Sequence, residues 1–244
     1  MKRYRGLGQH FLVDEKILDR IVAYGDLMKE DRILEIGAGI GNLTERLIEQ
    51  SANVYAIEVD SRLAERLEER CGKRATVINA DALKIEFPEF DKVISNLPYA
   101  ISSKITLKIL RSNFTIGVLM YQAEFVRRIT ASPRTKAYGR IAVCVQALTD
   151  VEVLEEVPRT AFNPVPPVHS SIVRLTPKHN PEIENKDLFL NFVTNLFSNR
   201  RKKLFKTLKS LRFDTTNLSH EKFLGRRPDE LEVSAMVELY RKLI

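Results

Sequence analysis

Apolar positions along this chain alternate between two spacings. Ile17, Leu18, Ile21 and Val22 recur at helical intervals over 14–24, and Asp14 is placed to cap the first turn. Residues 32–36 form a short apolar run that reads as a buried strand, followed by a glycine turn and a helix over 42–50. The alternation then repeats: strand 54–59, helix 61–71, strand 76–79, strand 92–95, helix 106–110, strand 116–121, helix 124–130. Strands and helices at this spacing argue for an α/β fold with a mostly parallel sheet covered by helices. After a helix over 138–148 come two strand-like runs, 151–157 and 171–175, with no helix between them. They are expected to form an antiparallel pair at one edge of the sheet, joined by a loop stiffened by Pro164, Pro166 and Pro167. Residues 176–184 hold Pro177 and Pro181 among polar neighbours and read as a linker. Helical patterns follow over 188–199, 202–211 and 228–243. The expected division is residues 1–176, an α/β catalytic domain, and residues 177–244, a small all-helical domain.

The chain has 244 residues, 44% hydrophobic and 29% charged, the composition of a globular protein. No apolar run approaches the roughly 20 residues of a membrane span. Met1–Arg5 is basic but precedes no apolar core of a leader peptide, so cytoplasmic residence is expected. Cys71 and Cys144 are too few for a disulfide framework, and no Cys/His cluster suggests a metal. A net charge of +7 favours polyanionic partners. Four Gln and no Trp beside abundant Lys, Arg and Glu lean toward a thermophilic source.

Two segments and two single carboxylates carry chemistry. Glu35-Ile36-Gly37-Ala38-Gly39-Ile40-Gly41 follows a strand and opens a helix. Glycines there let the main chain approach a ligand closely. The spacing departs from the dinucleotide fingerprint and favours a cofactor without a pyrophosphate. Glu58, closing the next strand, is placed to accept ribose hydroxyls of an adenosine moiety; otherwise it is a surface glutamate. Asp81, closing the third, suits the cofactor's adenine amine or, alternatively, the cap of the turn before Leu83. Asn96-Leu97-Pro98-Tyr99 ends the fourth strand. An adenine amine is a poor nucleophile because its lone pair is delocalised. The Asn96 side-chain oxygen and Leu97 carbonyl suit acceptance of its protons, Pro98 stiffens the turn, and Tyr99 offers a stacking face. These segments together suggest methylation of an adenine exocyclic amine.

Phe162, heading the loop to Ser170, is either a second stacking face or a core residue. Residues 200–212 contain seven cations (Arg200, Arg201, Lys202, Lys203, Lys206, Lys209, Arg212) and no acid. Leu204, Phe205, Leu208 and Leu211 interleave at helical spacing, so one face is expected to pack and the other to meet phosphates. Arg127, Arg128, Arg134 and Lys136 add to that field. His169 and His179 carry no partner pattern and receive no catalytic role.

The chain resembles the small-subunit ribosomal RNA adenine dimethyltransferases over nearly its whole length. The resemblance is carried by Gly8-Gln9-His10-Phe11-Leu12, the glycine segment, Asn96-Leu97-Pro98-Tyr99, Tyr121-Gln122-Ala123-Glu124-Phe125, Tyr138-Gly139-Arg140, and Phe162 through Ser170. It implies a Rossmann-like class I methyltransferase sheet that binds S-adenosyl-L-methionine, and a C-terminal helical domain. It implies cofactor contacts at His10, Leu12, Gly37, Gly39, Glu58, Asp81 and Asn96. The implied target-base pocket is Asn96, Leu97, Pro98, Tyr99 and Phe162. RNA contacts are expected from Arg200, Arg201, Lys202, Lys203 and Lys206. The implied substrate is a pair of adjacent adenosines in the 3′-terminal hairpin of small-subunit rRNA, each dimethylated on N6 in an immature small subunit. His10 stands where bacterial members usually carry Asn and resembles archaeal and eukaryotic members. A monomer is expected. The alternatives are a large-subunit rRNA adenine methyltransferase of the resistance type, against which Gly8 before Gln9 speaks, a DNA adenine methyltransferase, and an assembly factor acting mainly by binding.

Overall fold

The computed structural model describes residues 10–51, 53–215, 218 and 222–244. Its elements in chain order are β1 (Phe11–Leu12), α1 (Glu15–Tyr24), β2 (Arg32–Ile36), α2 (Asn42–Gln50), β3 (Asn53–Glu58), α3 (Ser61–Cys71), β4 (Ala75–Asn79), β5 (Lys92–Asn96), α4 (Ser102–Arg111), β6 (Ile116–Gln122), α5 (Ala123–Ile129), α6 (Arg140–Leu148), β7 (Thr149–Val157), β8 (Phe162–Asn163), β9 (Ser170–Pro177), α7 (Lys186–Ser198), α8 (Leu204–Ser210) and α9 (Val233–Leu243). Two compact units emerge. The first comprises Met1–Lys108, Ser112–Val126 and Glu152–Pro177; the second comprises Ile109–Arg111, Arg127–Val151 and Lys178–Ile244.

In the first unit the sheet runs β4-β3-β2-β5-β6-β9-β7. The five strands from β4 to β6 pair in parallel, and β9 lies antiparallel to β6, with β7 outside it as the edge. This is the expected Rossmann-like sheet with its late antiparallel edge. The chain builds outward from β2 to β4, then returns to place β5 on the other side of β2. The β2–β5 seam is therefore the switch point of the sheet, where open α/β folds bind ligands beyond the strand ends.

The seam is fixed at both ends. At its start Arg32 grips Asp91 with Nε at 3.0 Å and Nη2 at 2.8 Å, and buried Lys92 pairs with Asp31 at 2.8 Å. The Arg32 hydrogen bonds hold the Asp91 carboxyl down at about 2. The ladder then pairs Ile33 with Lys92 and Leu34 with Val93. Beyond them, the buried Ser95 hydroxyl accepts from the Ile36 N–H at 2.8 Å.

Asp14 caps α1 as expected, its Oδ1 accepting from Ile17 N at 3.1 Å. That helix and α2 bury Ile17, Leu18, Ile21, Leu43 and Leu47 against Ile33, Ile94, Val118, Met120 and Ile172 of the sheet. Each fully buried aliphatic side chain contributes about 1.5–3 kcal/mol before entropy is counted. A two-stranded sheet that periodicity does not reveal joins β1 to β8, with Phe11 opposite Asn163 and Leu12 opposite Phe162.

The second unit packs α6 with α7 and α9. The single helix expected over 228–243 is instead a 3-10 turn at Pro228–Glu230 followed by α9. Leu231 and Glu232 between them are extended, and the Leu231 carbonyl accepts from the buried Tyr138 hydroxyl at 2.9 Å. A carbonyl turned to that phenol is not presented to a helical N–H. Likewise α6 starts at Arg140, later than expected, and α8 starts at Leu204, leaving Lys202 and Lys203 ahead of it. No helix among the described residues is long and apolar enough to cross a membrane.

Ser95→Ala would strand the buried Ile36 N–H. It is expected to lower stability by about 1–3 kcal/mol, read from urea unfolding. An unchanged midpoint would mean that the seam does not need this bond.

Candidate active site

The glycine loop leaves β2 and the Asn96–Tyr99 turn leaves β5, so both open at the switch point. Gly37 has φ of +76°, and a Cβ there would lie 2.8 Å from Cγ of Pro98. The two turns touch through the one residue type that permits both the angle and the approach. Gly39 has φ of +60°, and a Cβ on it would meet the Phe11 ring at 3.0 Å. Gly37 N and Ala38 N donate to the Ile57 carbonyl at 2.7 and 3.2 Å, tying the loop to the end of β3.

Glu58 ends β3 and is buried. One of its oxygens accepts from Gly39 N at 2.8 Å and the other from Asp60 N at 2.9 Å. A carboxylate has about four acceptor positions, so acceptor capacity remains for ribose hydroxyls. Asp81 does take the turn-capping role: Oδ1 accepts from Leu83 N at 3.0 Å, and Oδ2 lies 3.7 Å from Lys84 Nζ. It too keeps acceptor positions for an amine. A loop of left-handed glycines leaving β2, with such carboxylates at the end of neighbouring β3 and just past β4, fits an adenosine-bearing cofactor without pyrophosphate.

The half-buried Asn96 amide has no hydrogen-bond partner among the described residues, nor has the Leu97 carbonyl. Both are therefore available to a ligand. The backbone beside them is held: Leu97 N donates to Met120 O at 3.3 Å, and Ile101 N to Pro98 O at 3.1 Å, opening a 3-10 turn into α4. The Tyr99 hydroxyl lies 2.6 Å from the buried Ser170 Oγ, and desolvation pushes its phenol pKa up. Its ring stacks against His10 at 6.4 Å and 26°. His10 Nδ1 lies 2.8 Å from the Pro164 carbonyl. A carbonyl only accepts, so Nδ1 carries the proton and a neutral His10 leaves Nε2 as the acceptor.

Leu12 is buried, and its carbonyl accepts from Asn42 Nδ2 at 2.9 Å, fastening β1 to the start of α2. Phe162 is 2% exposed within the core cluster that includes Leu12. As placed, its ring belongs to the core and offers no open face. Gly8 and Gln9 lie outside the described residues.

In the second unit, Arg200 is committed to Asp229, at 2.9 Å from Nε, and to the Lys136 carbonyl. Arg201, Lys202, Lys203 and Lys206 are exposed and form no ion pair among the described residues. Leu204, Thr207 and Leu208 pack, but Phe205, expected on the packed face, is 41% exposed.

Sequence reasoning missed three supporting residues. Ser95 and Ser170 gave no signal, since their partners lie 59 and 71 residues away. Glu35 gave one: a carboxyl inside a buried strand. It is buried, accepts from Thr44 Oγ1 at 2.6 Å, and its pKa is raised to about 8. Burial drives the shift and Glu58 adds to it, while the Thr44 bond opposes it.

Residues 2–228 match the ribosomal RNA adenine dimethylase family. The probable ribosomal RNA small subunit methyltransferase A of Methanosarcina barkeri is 44% identical over 95% of this chain and 83% of its own length. Its counterpart in Methanosarcina acetivorans is 51% identical over 80% and 74%. Among solved structures, a dimethyladenosine transferase from Plasmodium falciparum aligns with a TM-score of 0.81 at 30% identity, covering 96% of this chain and 99% of that one. The 23S rRNA methyltransferase ErmE aligns with 0.69 at 29%, covering 96% and 99%.

Two outcomes are expected. Folded Glu35 keeps a proton that the unfolded chain releases near the ordinary glutamate pKa, so stability falls as pH rises toward about 8 and levels off above it. Glu35→Gln should flatten that decline in melting temperature; parallel curves would mean that Glu35 does not titrate there. Tyr99→Phe and Ser170→Ala should be non-additive, with a coupling of about 1 kcal/mol in denaturation, because each removes the same bond. Strict additivity would disprove the bond.

Proposed function

The chain belongs to the ribosomal RNA adenine dimethylase family, and from that premise we propose that it dimethylates N6 of two adjacent adenosines in the 3′-terminal hairpin of small-subunit rRNA, acting on an immature subunit. The enzyme is an rRNA adenine dimethyltransferase that uses S-adenosyl-L-methionine. The observation that carries the substrate reading is the pair of unpartnered acceptors, the Asn96 amide and the Leu97 carbonyl, at the end of β5 beside the glycine loop.

The cofactor supplies an electrophilic methyl group on a sulfonium sulfur. Glu58 and Asp81 would hold its adenosine end, and Gly37 and Gly39 would let the backbone close around it. Asn96 and Leu97 accept the N6 protons of the target adenine. Those hydrogen bonds draw the nitrogen toward tetrahedral geometry and localise its lone pair, which is catalysis by position and electrostatics. Pro98, packed against Gly37, keeps the acceptors at a set distance from the cofactor loop. Tyr99 stacks on the extruded base, and Ser170 and His10 steady its ring. Phe162, buried opposite Leu12, anchors β8 to β1. The methylated nitrogen gives its extra proton to water. In the second transfer N6 has one fewer proton, so Asn96 and Leu97 cannot both be engaged as in the first.

Residues 177–244 are assigned to RNA binding, through the exposed Arg201, Lys202, Lys203 and Lys206. Arg200, held by Asp229, braces that segment.

The test is methyl transfer from labelled cofactor to small subunits lacking the modification, followed by nucleoside analysis. Dimethyladenosine from the 3′-terminal hairpin supports the reading; label in large-subunit RNA, or tight binding without label, overturns it. Asn96→Ala should lower kcat by about 100-fold or more while RNA affinity stays near wild type. Comparable losses in both would remove Asn96 from the chemistry.

A further inference from the structure

The short helix α8 is built to bury one face and leave the other bare. Leu204 and Leu208 are 0% exposed, whereas Phe205, Lys206 and Lys209 face solvent. Phe205 is 41% exposed, an aromatic ring displayed where periodicity predicts packing. One side of that ring carries Lys209 Nζ, 4.5 Å from its centroid. Around it stand Arg201, Lys202, Lys203 and Lys206, with no ion pair among the described residues. A solvated cationic surface needs no exposed aromatic, and a packed helix leaves none.

We propose that Phe205 is a stacking platform for an unpaired RNA base, with the surrounding cations holding the flanking phosphates. The inference rests on the reading of the chain as an RNA-modifying enzyme and assigns it a second base contact, apart from the Asn96–Tyr99 turn. Three features select this occupant. Stacking on an aromatic is the sequence-tolerant way to hold a single-stranded base, since every base has a π-face. Recognition of RNA favours loops and ends, whose bases are free to leave the helix. The cations adjoin the ring along the chain, at 201–203, 206 and 209, and would meet the phosphates of a strand whose base stacks there. A lipid surface fits poorly: α8 has seven residues and displays a single aromatic, far less apolar face than an interfacial helix needs. Lys209 keeps the ring presented, because a cation–π contact on one face leaves the other to the base.

The two kinds of contact separate in a salt titration. Stacking carries no counterion release, whereas each phosphate contact steepens the dependence of log K on log salt by about 0.7–0.9. The measurement is anisotropy of a labelled RNA hairpin with a single-stranded loop, titrated with the full chain across a range of KCl. Phe205→Ala should weaken binding about 5- to 100-fold at every salt concentration with the slope unchanged. Phe205→Trp should bind as wild type or tighter. Lys206→Ala should lower the slope by about one unit. Wild-type affinity in Phe205→Ala overturns the inference, as does a Phe205→Trp that fails to restore binding. If Phe205→Ala instead loses only binding to anionic vesicles or to a polyglutamate peptide, the platform is not for RNA. A wild-type chain that binds no RNA hairpin overturns both this inference and the functional reading. Binding by wild type with an unchanged Phe205→Ala overturns this one alone.

Discussion

The site depends on one seam. Where β2 and β5 lie side by side the sheet reverses its order, and two loops of different purpose leave it together. Arg32 with Asp91 and Lys92 with Asp31 fix the strands at their start; the Ser95 hydroxyl fixes them at their finish. Gly37 against Pro98 then carries the fixed register into the loops. A shift of β5 by one residue would invert every side chain on it, and Asn96 would no longer end beside the glycine loop. The chemistry asks for a methyl donor and a poor nucleophile at one distance. Strand pairing sets that distance more rigidly than loops alone could.

Around the seam, polar groups divide into those already occupied and those left open. Glu35, Ser95 and Ser170 are buried, with hydrogen bonds to the protein itself, and they shape the site from behind. The Asn96 amide and the Leu97 carbonyl are left without protein partners among the described residues. Open acceptors beside a rigid turn are groups that a ligand can engage without displacing a protein partner. Glu58 belongs to both classes: its backbone bonds orient it, and its spare acceptor positions remain for a ligand.

Local signals were legible and distant ones were not. The Asp14 cap, the glycine loop and the strand-end positions of Glu58 and Asn96 each rest on neighbours within a few residues, and periodicity found them; Asp81, expected to close its strand, lies past the end of β4 in the turn that it caps. Phe162 kept two readings in the sequence because its packing partner Leu12 is 150 positions away. Arg200 read as one cation among seven, since Asp229, which takes it up, lies 29 residues on. The break at Leu231 is set by Tyr138, 93 residues earlier. Helical spacing alone put Phe205 on a packed face, whereas its ring is 41% exposed.

The pairing of β1 with β8 joins residues 11–12 to 162–163. Chains are made from the amino end, so for most of synthesis the first strand has no partner. His10 has no Pro164 carbonyl to hold it, and Tyr99 no Ser170. The central strands, from β2 to β6, can pair as they emerge, but β1 gains its partner only when β8 has left the ribosome. An enzyme that modifies ribosomal RNA thus acquires its complete binding face late in its own translation, and an incomplete chain lacks the residues that finish the site.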